Sequence, residues 1–103
     1  MSRKQDILHL LANEPNDDFL NYALAIEEES EGNYSEAMQI LINLKQRNSS
    51  YFPLYLKLAQ LYAYASENEK AIEVIHQGIP IAQHLKNKRG EGELKELLLE
   101  LED

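Results

Sequence analysis

Apolar residues recur every three or four positions along this chain, and no stretch alternates apolar and polar residues as a half-buried strand would. The first such phrase is Ile7, Leu8, Leu10 and Leu11, read as one apolar face. Ser2 and Gln5 stand ahead of it with the spacing of a capping box, and "NEP" ends the predicted helix before Pro15. Asn16, Asp17 and Asp18 open a second helix, where acceptors and negative charge suit free backbone N–H groups. Its stripe is Leu20, Ala23, Leu24 and Ala25, and Gly32 is its expected C-cap. A third helix is predicted from about Tyr34 to Arg47, with Ala37, Met38, Leu41, Ile42 and Leu44 inward.

The stretch "RNSSYFP" breaks the pattern, and Pro53 suits the first turn of a fourth helix. That helix carries Leu54, Tyr55, Leu58, Ala59, Leu61 and Tyr62 to about Ala65. "SENE" turns the chain into a fifth, with Ala71, Ile72, Val74 and Ile75 inward. Gly78 and Pro80 are expected to end or kink it, since Pro80 has no N–H to donate back to residue 76. "HLKNKRGEGE" reads as a polar loop. The last helix, from about Gly92, sets Leu94, Leu97, Leu98 and Leu101 at helical spacing, all four expected to be buried.

The pattern repeats. Residues 18–51 laid over 52–85 align Leu20 with Leu54, Leu24 with Leu58, Ala25 with Ala59, Ala37 with Ala71 and Leu41 with Ile75. One period earlier, Ile7 falls under Leu41 and Leu10 under Leu44, so the first helix reads as the second half of a repeat. A helix–turn–helix unit of this period, with small residues at the helix crossings, resembles the tetratricopeptide repeat. The resemblance covers roughly residues 3–85 and implies an all-α chain. Its fold would be a short right-handed α-solenoid of antiparallel helix pairs, about six helices in all. A single domain over 1–103 is expected. It comprises a leading helix at 1–15, repeats at 18–51 and 52–85, and a capping helix at 90–103. The resemblance places Ala25, Ala37, Ala59 and Ala71 at the close crossings. The family's large first-helix positions fall on Tyr55 and Tyr62 in the second copy, but on Asn21 and Glu28 in the first.

Function, by the same resemblance, lies on the first helix of each pair, which lines a concave groove for a peptide or partner helix. The groove positions would be Phe19, Tyr22, Ile26 and Glu29 in the first repeat, and Leu56, Gln60, Ala63 and Tyr64 in the second. The alternative is that these side chains pack against the chain's own terminal helices. The Lys and Asn with which the family's chaperone-tail binders hold a carboxylate are replaced here by Tyr22 and Ile26.

Composition narrows the partner. A net charge of −8 opposes binding to nucleic acid and to anionic membranes. It suits a protein or peptide with a hydrophobic anchor and a basic flank. Homo-oligomerisation, with no foreign ligand, is the rival reading. Cysteine is absent, which excludes disulfides, thiolate catalysis and Cys-based zinc sites and fits a cytoplasmic protein. The N-terminus is read as part of the fold rather than a signal peptide, and no run approaches a membrane span.

Catalytic and metal chemistry has little to stand on. The glutamates of "IEEESE" point around a helix axis and read as a solvated acidic face. His9, His76 and His84 lack metal-ligand spacing, "GEG" at 90–92 follows no strand, and "KNKR" at 86–89 reads as a solvated loop. No enzymatic activity, metal or cofactor is expected.

Overall fold

The computed structural model describes residues 2–102, which form six α-helices and no strand. They are α1 (Arg3–Asn13), α2 (Asp18–Ser30), α3 (Tyr34–Arg47), α4 (Pro53–Tyr64), α5 (Asn68–His84) and α6 (Lys88–Glu102). The chain divides into two compact units, Met1–Tyr51 and Phe52–Asp103. The division falls where the second copy of the repeat begins.

In the first unit, both bonds of the capping box form. Ser2 Oγ accepts from the Gln5 N–H, and Gln5 Oε1 accepts from the Ser2 N–H, each at 3.1 Å. The Asp17 carboxylate accepts the Leu20 N–H at 2.8 Å and starts α2. A three-residue turn through Gly32, at φ 83°, returns the chain into α3. The buried residues are Ile7 from α1, Ala23 and Ala25 from α2, and Ala37, Leu41 and Leu44 from α3.

Two expectations for this unit are corrected. Of the predicted α1 face only Ile7 is buried; Leu8 and Leu10 are 46% and 51% exposed. The helix packs on α2, and one neighbour covers one stripe, which Leu8 and Leu10 fall outside. The glutamates of α2 are not simply solvated. Arg3 pairs with Glu27 at 2.7 Å, and Lys4 bridges Glu28 and Glu31. Hydrogen bonds that Lys4 donates to Glu28 and then to Glu31 raise its pKa above the ordinary value. The front helix is therefore held to α2 by charge as well as by Ile7.

In the second unit, Pro53 occupies the first turn of α4, whose Leu54, Tyr55, Leu58, Ala59 and Leu61 are all buried. Ser66, at φ 63°, takes the left-handed position that Gly32 takes in the first copy. The helix α5 does not end at Gly78 or Pro80 but runs on to His84. Pro80 and His76 both face solvent, so water can serve the carbonyl that proline leaves unbonded. On the opposite side Gly78 and Ala82 are buried and hold the helix in place.

The start of α6 also differs from the expected Gly92. Asn87 Oδ1 accepts the Gly90 N–H at 2.9 Å, an N-cap that begins the helix at Lys88. Residues 88–91 are thus its first turn rather than loop. Gly90 is buried there, and a Cβ at that position would run into the Phe52 ring. Leu94 is fully buried, but Leu97, Leu98 and Leu101 are only half-buried.

Candidate partner-binding surface

The candidate positions of the first unit lie on one helix. Phe19, Tyr22, Ile26 and Glu29 follow one another at helical spacing along α2 and form a single stripe. Phe19 is 63% exposed, and the other three are partly exposed. Beside them stands Tyr51, which sequence reading did not single out. Its ring centroid lies 6.0 Å from that of Tyr22, tilted by 59°. That geometry is favourable for two aromatic quadrupoles.

The loop carrying Tyr51 is tied down locally. Asn48 Nδ2 donates to Asp18 Oδ2 at 2.7 Å, while Asn48 Oδ1 accepts the Ser50 N–H at 3.1 Å. Burial raises the Tyr51 hydroxyl pKa above its ordinary value, with Tyr22 and the carboxylates of Asp18 and Asp17 adding to the effect. The hydroxyl therefore stays protonated at neutral pH and can donate as well as accept. Only the identity of Asp18 as a helix-opening acid was legible beforehand.

In the second unit the candidates lie along α4 and separate into two environments. Leu56 and Gln60 line a cavity of about 200 Å³ whose other wall is Glu93, Glu96, Leu97 and Glu100 of α6. Tyr64, near the C-terminal end of α4, is 70% exposed, with half-buried Ala63 beside it. The first pair thus faces the last helix across a gap, while Tyr64 projects outward.

Other groups are dispersed. His9, His76 and His84 are each exposed, and no cluster of metal-ligating side chains occurs among the described residues. No helix among the described residues is long and apolar enough to cross a membrane.

No family model and no curated protein matches the sequence. Solved structures do match. A crystal structure of a tetratricopeptide repeat domain protein from Salinibacter ruber is 30% identical and superposes with a TM-score of 0.80, over 84% of this chain and 96% of that one. The chain belongs to the tetratricopeptide repeat family. A solution structure of a Salinibacter ruber tetratricopeptide repeat domain protein gives 31% identity and a TM-score of 0.81, covering 85% of this chain and 89% of that one. A protein from Bordetella parapertussis shares the fold at 16% identity, with a TM-score of 0.83 over 98% of this chain and 88% of that one.

Within the tetratricopeptide repeat frame, the two polar departures acquire roles. Asn21 Nδ2 donates to the carbonyls of Pro15 and Asp17, at 3.0 and 2.8 Å, and clamps the turn that leads into α2. Glu28 receives Lys4. Their counterparts 34 residues on are the buried Tyr55 and the half-buried Tyr62, the latter with the Lys70 ammonium 5.9 Å from its ring centroid. The tetratricopeptide fold commonly mediates protein–protein interaction.

Proposed function

We propose that this tetratricopeptide repeat chain is a non-enzymatic interaction module that holds a peptide or helix of a protein partner against the first helices of its repeats. The reading takes residues 1–103 as one working domain, in the cytoplasm. The observation that carries it is the exposure of large aromatic side chains on those two helices: Phe19 at 63% on α2 and Tyr64 at 70% on α4. Aromatic rings left in water at that exposure gain by being covered, and they provide contact area at small entropic cost. Tyr22, Ile26, Leu56 and Ala63 extend the apolar part of each face, while Glu29 and Gln60 add polar points. An apolar contact beside negative charge selects a segment with a hydrophobic anchor and nearby lysine or arginine.

The test is a pull-down with the parent chain and with Tyr22→Ala, Ile26→Ala and Tyr64→Ala combined, followed by surface plasmon resonance on the partner recovered. Loss of the apolar side chains should speed dissociation. Glu29→Lys should slow association, most of all at low salt. Undiminished binding by the triple variant, in a chain that still folds, would move the site elsewhere.

Self-association is the second reading, favoured by one feature of α6. Leu99 is 72% exposed there, a large apolar side chain on the solvent side of the helix. Sedimentation of the parent chain and of Leu99→Glu separates the two readings. A monomer at high concentration excludes this one.

A further inference from the structure

The cavity between α4 and α6 combines two chemistries. Leu56 and Leu97 give it apolar surface, and Gln60 adds an amide. Glu93, Glu96 and Glu100 supply three carboxylates, which recur at i, i+3 and i+7 and so share one face of α6. No lysine or arginine is among the described residues that line it. Arg89 approaches Glu93 at 3.8 Å from the first turn of α6, but its own side chain is 91% exposed.

We infer that this cavity is a subsite for an arginine side chain of the partner segment. The inference rests on the reading of α4 as a partner-binding helix and assigns that helix a specific side chain to receive. An arginine has an apolar stem that can lie along the two leucines while its head stays near the carboxylates and water. Its planar guanidinium presents several donors at once and meets carboxylates in a fork geometry. The competing occupants fit less well. An aliphatic plug would strip water from three carboxylates without compensating them. An acidic segment would meet like charge. A divalent cation needs oxygen ligands around it, and two leucines occupy part of this lining.

The test uses the full chain labelled with ¹⁵N and titrated with N-acetyl-arginine amide. The amides of Leu56, Gln60 and residues 93–100 should shift together and saturate. N-acetyl-citrulline amide, of similar shape but uncharged, should shift them little. Replacing Glu96 and Glu100 with glutamine should weaken the arginine response about fivefold, as loss of two exposed charge partners implies. Both side chains face solvent, and circular dichroism checks that the double variant still folds.

An equal response to citrulline would overturn the inference. So would shifts spread evenly over remote carboxylates such as Glu36, Glu69 and Glu73, or the same shifts produced by magnesium chloride. The functional reading fails on a separate observation: full partner binding by the Tyr22, Ile26 and Tyr64 variant. That result would leave the arginine titration unchanged.

Discussion

Gly78 of α5 lies so near Tyr55 of α4 that a Cβ added to it would sit 2.9 Å from the Tyr55 Cβ. The same Cβ would sit 2.9 Å from Leu94 Cδ1 of α6. The leucine tip can rotate aside, whereas the tyrosine Cβ moves only with its backbone. Gly78→Ala should gain about 0.5–1 kcal/mol in helix propensity and lose about 1–3 kcal/mol to overpacking, a net loss. Gly92, also inside α6, has nothing within 4 Å of its added Cβ. There the propensity gain stands alone, and Gly92→Ala should stabilise. Denaturant melts should move in opposite directions for the two variants.

The leucines of α6 are unequal. Leu94 is fully buried and Leu99 is 72% exposed. Leu94→Ala should cost about 2–5 kcal/mol, and Leu99→Ala no more than about 0.5 kcal/mol. Equal effects in thermal melts would show that α6 packs by another face.

A parallel contrast holds at the front. Ile7 is the buried contact of α1, and Leu10 is 51% exposed. Ile7→Ala should cost about 2 kcal/mol, whereas Leu10→Ser should stay within about 0.5 kcal/mol. Urea melts of the two single variants check this.

Glu91 ties α5 to α6 and sets a pH dependence. Its carboxylate accepts from Lys95 at 2.7 Å and from Gln83 Nε2 at 3.0 Å. Those bonds, Lys95 first, hold its pKa below the usual carboxylate value. A carboxylate whose folded pKa is lowered contributes stability above its unfolded pKa of about 4.3, and loses it as pH falls through the folded value. The parent chain should therefore outlast Glu91→Gln at neutral pH, and the gap should close as pH falls below the ordinary carboxylate range. A gap independent of pH in paired denaturant melts would contradict this account.

The helix pairs were legible because their signals are local and periodic. Ala37 and Ala71 mark one register position, and both are fully buried. What stayed hidden depends on contacts made far along the chain. Gly78 and Pro80 carry local signals that end helices, but packing around Gly78 and Ala82 overrides them. Gly90 reads as loop until the Phe52 ring is seen to need its missing side chain. The partners of Glu27, Glu28 and Glu31 are Arg3 and Lys4, more than twenty residues away. In the candidate surface, the α2 stripe follows from helical spacing alone. Tyr51 lies outside any periodic element, and Glu93, Glu96 and Glu100 gain meaning only from Leu56 and Gln60 across the cavity.

Ser66 keeps a left-handed backbone that glycine adopts freely and serine does not. The pairing of α4 with α5 enforces that shape, so a brief parting of the two helices would release strain at the turn between them. The turn at Gly32 stores no such tension. Two turns in matching register should therefore breathe at different rates, the one at Ser66 faster. A protease searching the folded chain for a momentarily loosened loop would find the second repeat's hairpin before the first's.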